Sequence, residues 1–246
     1  MEKGGMEMKW NDRYEGKCFS VLGDSISTLG GYTEPSDAAF YDGMMKFKAD
    51  VFLPEDTWWG QVIERLGGFI LVNNSYSGSM VHKAARCEIE SYGCSDERTA
   101  SLARDGAQPD VVMVFMGIND WGCATPLMPN SPEGEEDISF FSVAYQTMLQ
   151  KLKKYYPMAE IWCLTLPESV CRKDPSFVFP CRICGKHIEE YSEVIRACAE
   201  REGCRVIGLD RAEPHDTIDG FHPNAQGMKQ IADHVIEKLS EGDVCK

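Results

Sequence analysis

Five short apolar runs punctuate the chain. They are Cys18-Phe19-Ser20-Val21-Leu22, Phe69-Ile70-Leu71-Val72, Val111-Val112-Met113-Val114-Phe115-Met116, Ile161-Trp162-Cys163-Leu164-Thr165-Leu166 and Cys204-Arg205-Val206-Ile207-Gly208-Leu209. Runs this short, with little polar alternation, predict strands buried on both faces. The segments between them carry a helical period. Asp56 or Thr57 is positioned to cap a helix bearing Trp58, Trp59, Val62, Ile63 and Leu66, which Gly67-Gly68 ends. Phe141, Ala144, Tyr145, Met148, Leu149 and Leu152 share one helical face, and so do Ile188, Tyr191, Ile195, Cys198 and Ala199. A last helix from about Asn224 carries Met228, Ile231, Ala232, Val235, Ile236 and Leu239. Residues 82–108 are mixed and charged, with a helix expected in their second half around Leu102 and Ala103. Strands alternating with helices predict an α/β fold, a five-stranded parallel sheet with helices on both faces.

Three stretches lack either period. Residues 28–56 are irregular and aromatic, with Tyr32, Phe40, Tyr41 and Phe52, and read as a long loop rather than a strand or helix. Residues 125–138 are proline-rich and then acidic, as in a solvated loop, and 167–186 form a Cys-rich loop. With no internal repeat and no composition break, a single domain over 1–246 is expected, with 28–56 and 167–186 as insertions.

Charge narrows the function classes. The 246 residues carry a formal charge of -14, which makes nucleic acid and anionic membrane surfaces poor partners. No segment approaches the ~18 consecutive apolar residues of a membrane span. Met1 to Glu7 contain no apolar h-region, so a cytoplasmic location is expected, with the eleven cysteines mostly reduced.

The exits of the predicted strands carry the candidate chemistry. Gly23-Asp24-Ser25 follows the first, Gly78 lies in the polar loop after the second, Asn119 follows the third, and Asp219 and His222 follow the fifth. Parallel strands send all these exits to one edge of the sheet, where ligands bind in open α/β folds. A serine hydroxyl at such an exit needs an adjacent base. His222 is the candidate, with Asp219 three residues earlier to accept its other ring N–H. The backbone N–H groups of Ser25 and Gly78, with the Asn119 side-chain amide, would supply oxyanion donors. Together these parts fit acyl transfer.

The four motifs, Gly23-Asp24-Ser25-Ile26-Ser27, Asn73 to Gly78, Gly117-Ile118-Asn119-Asp120 and Asp219-Gly220-Phe221-His222-Pro223, resemble in order and spacing those of the SGNH or GDSL-type hydrolases. The resemblance implies a flavodoxin-like three-layer α/β/α sandwich. It implies a triad of Ser25, His222 and Asp219, an oxyanion hole of Ser25, Gly78 and Asn119, and no cofactor. Asn-Ser-Tyr-Ser-Gly matches the second motif more loosely than the other three match theirs.

Other residues keep rival readings open. His215 and Asp216 could replace His222 and Asp219, whereas His234 falls on the polar side of the last helix. Tyr32 and Trp121 follow Ser25 and Asn119 closely and could line a substrate pocket. Cys171, Cys181, Cys184 and His187 could hold a structural zinc or be free loop thiols. The function expected is a serine esterase acting on a small ester, foremost an O-acetyl group on a carbohydrate. The rivals are a lysophospholipase or thioesterase with a longer acyl pocket, and a non-catalytic carbohydrate-binding module on the same scaffold.

Overall fold

A computed structural model describes residues 10–33, 38–83, 91–129 and 136–244. Its central sheet has five parallel strands in the order β2-β1-β3-β4-β8. These are β1 (Cys18–Gly23), β2 (Phe69–Ser75), β3 (Val111–Phe115), β4 (Glu160–Leu164) and β8 (Arg205–Ile207). β3 sits in the middle with all five residues buried, which explains its unbroken apolar sequence. β2 lies at an edge, and Phe69 and Ile70 are exposed there, against the expectation of a fully buried strand.

Helices flank the sheet. α2 (Trp58–Arg65) packs against α7 (Ala225–Val244), while α5 (Phe141–Tyr155) packs against α3 (Asp96–Ala100) and α6 (Ile188–Arg201). Their periodic residues enter one contiguous core. Thr57, not Asp56, caps α2, its hydroxyl accepting from the Gly60 N–H at 3.0 Å. Asn224 caps α7 in the same way, accepting from the Gly227 N–H at 2.9 Å. No helix among the described residues is long and apolar enough to cross a membrane.

The expectations fail where elements are short or polar. The 28–56 stretch contains a helix, α1 (Met44–Ala49), and a single helical turn at Pro54–Asp56. α1 buries only Ala49, so it carries no apolar stripe to signal it. β2 continues through Asn73, Asn74 and Ser75, which were expected in a loop. α3 precedes Leu102 and Ala103 instead of containing them, and 84–90 and 130–135 lie outside the described residues. The Cys-rich stretch holds β5 (Ser169–Val170) and a hairpin of β6 (Arg182–Ile183) with β7 (Lys186–His187). β5 pairs in parallel with β9 (His215–Asp216), a two-residue strand that launches the Asp219–His222 loop.

Candidate active site

The sheet order brings the site together. β2, β1 and β3 are adjacent, and their register sets Gly23 level with both Ser75 and Phe115. The three exits carrying Gly78, Ser25 and Asn119 therefore lie side by side on one edge. At Gly23 the chain turns sharply into the helical turn Ser25–Ser27. A Cβ on Gly23 would meet Ser27 Cβ at 2.6 Å and Ser75 Oγ at 2.8 Å, so the turn can close this tightly only on glycine. Asp24 caps the turn, accepting from the Ile26 N–H at 3.0 Å. Burial pushes the Asp24 carboxyl up to about 7, against the pull of that hydrogen bond. Three side-chain donors pin the end of the turn. Trp58 Nε1 reaches Ser27 Oγ at 3.1 Å, while Trp59 Nε1 and Asn73 Nδ2 reach the Ser27 carbonyl at 3.0 and 2.8 Å.

Ser25, His222 and Asp219 form a continuous hydrogen-bonded chain. His222 Nε2 lies 3.0 Å from Ser25 Oγ, and His222 Nδ1 lies 2.7 Å from Asp219 Oδ2. Asp219 Oδ1 accepts from the backbone N–H groups of Phe221 and His222 at 3.0 and 2.8 Å. Burial alone would raise the Asp219 carboxyl, but these bonds to His222 and Phe221 outweigh it and hold the group down at about 2. An ionised Asp219 keeps the proton on Nδ1, which leaves Nε2 free to accept from the serine hydroxyl. The loop bearing Asp219 and His222 is tied at its base. The Ile218 N–H donates to the His222 carbonyl at 2.9 Å, and Ser169 Oγ donates to the Gly220 carbonyl at 2.6 Å.

Asn119 opens α4 (Ile118–Gly122), and its Nδ2 donates to the Ser79 carbonyl at 3.0 Å. One amide proton thus fixes the side chain, and an amide nitrogen carries a second. Gly78 has φ +76, a conformation that strains any residue with a Cβ. Among the described residues its N–H donates no hydrogen bond. Ser25, Gly78 and Asn119 therefore lie on adjacent strand exits, as the oxyanion-hole reading requires.

Several residues that build the site are not among the candidates read from the sequence, and of these only Asp120 lies in one of the four motifs. Arg98, on α3, is 3% exposed. Its guanidinium donates to the carbonyls of Gly23 and Asn74 at 2.8 and 2.7 Å, and to Ser79 Oγ and Ser91 Oγ, each at 2.9 Å. One buried cation thus joins the ends of β1 and β2 to the Gly78–Ser79 loop. Asp120, wholly buried beside Asn119, accepts from the Val81 N–H at 2.9 Å and pairs with His82 Nδ1 at 2.8 Å. Phe40, from the aromatic stretch, stacks on the His222 ring with centroids 3.6 Å apart. Only its aromatic character was visible in the sequence, and nothing in the local pattern marks Arg98.

Other candidates fall elsewhere. His215 is buried, with neither ring nitrogen bonded to a described residue, and burial lowers it to about 4. Asp216 is occupied by Asn224 Nδ2 and by the N–H groups of Arg172 and Thr217. His234 packs 3.5 Å from Glu237 on α7. Trp121, expected to line a pocket, is instead a core residue with no exposed surface. Its Nε1 donates to the Lys186 carbonyl at 3.1 Å and its ring stacks on Phe179. Tyr32 remains 45% exposed.

The residues of the zinc reading lie apart in the structure. Cys184 sits exposed in the hairpin turn, Cys171 is buried, and Cys181 Sγ donates to Glu168. His187 Nδ1 caps α6, accepting from the Glu189 N–H at 3.2 Å. The hairpin and the cap use these residues separately, and no group of three His, Cys, Asp or Glu side chains among the described residues could hold a metal.

A small apolar cavity lies beside the site, lined in part by Ile26, Ile118, Phe179, His215 and Phe221. Its volume is about 10 Å³, roughly one water-sized sphere.

Comparison with known proteins places the chain. It matches no curated protein. Among solved structures it resembles a protein assigned as a GDSL-like lipase from Bacteroides uniformis, at 29% identity and a TM-score of 0.70, covering 92% of this chain and 96% of that one. A second such protein, from Bacteroides ovatus, shares 26% identity at a TM-score of 0.70, with 92% and 99% covered. A carbohydrate acetylesterase from Sinorhizobium meliloti has the same fold at 16% identity and a TM-score of 0.62, with 94% and 100% covered. Residues 17–174 match the family model of the GDSL-like lipase/acylhydrolases, well over half of the sequence, and the chain belongs to that family.

Proposed function

We propose that this protein is a serine esterase that hydrolyses small esters, with acetyl as the acyl group and a carbohydrate as the alcohol. The observation that carries the reading is the hydrogen-bonded chain from Ser25 through His222 to Asp219. In the first half-reaction the Ser25 oxygen attacks the ester carbonyl while its proton passes to His222 Nε2. The carbonyl oxygen takes the negative charge and receives the N–H groups of Ser25 and Gly78 and the Asn119 amide. Collapse breaks the bond to the alcohol, which leaves with the proton from His222. A water then attacks the acyl-serine by the same route, releasing the acid and restoring the Ser25 hydroxyl. Asp219 stays ionised throughout and stabilises the imidazolium.

The cavity lined by Ile26 and Ile118, the neighbours of Ser25 and Asn119, is only about 10 Å³ and could not take an alkyl chain, which supports a short acyl group. Half-exposed Tyr32 offers a ring face to the apolar side of a sugar. Exposed Met44, Phe47 and Leu53 in the aromatic stretch favour a second reading, with a lipid-like acyl chain lying outside that cavity.

A fluorophosphonate should label the protein at Ser25, and Ser25→Ala should abolish labelling. Labelling that survives the substitution removes the mechanism. kcat/KM should fall steadily from p-nitrophenyl acetate through butyrate and octanoate to palmitate. A maximum at octanoate or beyond favours the lipid-like reading, and O-acetylated sugars then test the alcohol side.

A further inference from the structure

We propose that Phe40 is a positioning residue that acts through His222, clamping the imidazole by its face and favouring its protonated form. The inference rests on the esterase reading above and assigns a role to a residue outside the family's motifs. The two rings are nearly parallel, 10° apart, with centroids separated by 3.6 Å. Two neutral aromatic rings favour offset or edge-on geometry over such close face-to-face contact. A cation over a benzene face is attracted to it. His222 becomes a cation only after it has accepted the Ser25 proton. The contact therefore strengthens as the reaction proceeds, and only interactions of that kind lower the barrier.

The position of Phe40 is itself tied to the site. Its N–H donates to Thr28 Oγ1 at 2.8 Å, and that hydroxyl donates to the Ser25 carbonyl at 2.8 Å. Tyr41 packs edge-on against Phe40, with centroids 5.1 Å apart, and its hydroxyl donates to the Pro223 carbonyl at 2.8 Å. Nucleophile turn, aromatic clamp and histidine loop are thus one connected unit. Of the polar and charged groups around His222, Asp219 occupies Nδ1 and Ser25 faces Nε2. The Tyr41 phenol is committed to Pro223, and Asp24 is buried on the Ile26 N–H. Phe40 supplies the stacked ring face.

The test changes the electrons of the ring while keeping its shape. Phe40→pentafluorophenylalanine reverses the ring's charge distribution with little change in outline, and Phe40→Leu removes the aromatic face. The His222 pKa is read directly by NMR titration of the ring nitrogens, and again as the acid limb of kcat/KM for p-nitrophenyl acetate. Phe40→Leu should lower both by about half a unit, the size of a partly exposed cation–π contact. The fluorinated ring should lower them at least as far, and Phe40→Tyr should leave them in place. An unchanged His222 pKa in the fluorinated protein overturns the proposal and leaves Phe40 as packing alone. Absence of ester hydrolysis and of serine labelling in the wild type would instead defeat the esterase reading, while the NMR titration still decides the role of Phe40.

Discussion

Arg98→Met tests whether a residue outside every motif assembles the site. The substitution keeps an unbranched side chain and removes the guanidinium. Four acceptors lose their donor: the Gly23 and Asn74 carbonyls and the hydroxyls of Ser79 and Ser91. A buried acceptor left without a partner costs about 1–3 kcal/mol. Relief from desolvating the cation, whose Nε has no described partner, offsets part of this. Burial already lowers the guanidinium to about 10, so it is under that strain while remaining charged at neutral pH. The net loss should be about 3–5 kcal/mol, the size seen when a buried polar network loses one member. Catalysis should fall as well, because Arg98 holds the β1 carbonyl just before Asp24 and the hydroxyl just after Gly78. A displacement of about 1 Å there would lower kcat on the order of 10²-fold. Arg98→Lys keeps the charge but not the rigid fork, and should fall between the two. Urea unfolding at pH 7.5, alongside p-nitrophenyl acetate kinetics on the folded variants, reads both effects. A methionine variant as stable and as active as the wild type would refute the reasoning.

Further outcomes follow from the same geometry. Asn119→Ala should lower kcat by about 10²–10³ with KM nearly unchanged, since the proposed mechanism loses one oxyanion donor; a change in KM alone would assign Asn119 to substrate binding. His215 is held neutral in the folded protein, with its pKa lowered to about 4 by burial. Its contribution to stability is therefore complete above the unfolded value near 6.5 and is lost as pH falls toward 4, by roughly 3 kcal/mol in all. His215→Phe should abolish that acid loss in urea titrations while leaving esterase activity in place; loss of activity would revive His215 as a candidate base. Asp24 acts in the opposite sense, because its raised pKa makes folding less favourable as pH rises from about 4 to about 7. Asp24→Asn should flatten that slope, and an unchanged slope would show that the carboxyl titrates normally. A chelator should leave the esterase rate intact, because the proposed mechanism uses no metal ligand; loss of rate without loss of fold would contradict it.

The amino-acid sequence by itself determined the elements that bury continuous surface. β3 and β4 read as strands because burial on both faces requires unbroken apolar runs, and α5, α6 and α7 read as helices because each presents one face to the core. The polar residues at the strand exits were legible as well, since Ser25, Asn119, Asp219 and His222 sit in short local motifs. Local pattern ran out where an element lacks a buried face. α1 buries one residue, β5 and β9 are two residues long, and the end of β2 is polar because Asn73 donates to the Ser27 carbonyl and accepts from Ser75 Oγ. Direction was illegible too. Trp121 and Tyr32 both follow their motifs, yet one is buried and the other half exposed, because Trp121 packs on Phe179 and donates to the Lys186 carbonyl, both far away in sequence. The tertiary structure alone decided which distant residues meet. Strand order set Gly78, Ser25 and Asn119 side by side, and Arg98 and Phe40 acquired their positions only through partners far away in sequence. Period and propensity report how each residue faces water or core over a few neighbours. They carry no information about contacts closed across 75 residues for Arg98 to Gly23, or 197 for His222 to Ser25, which depend on the packing of the whole chain.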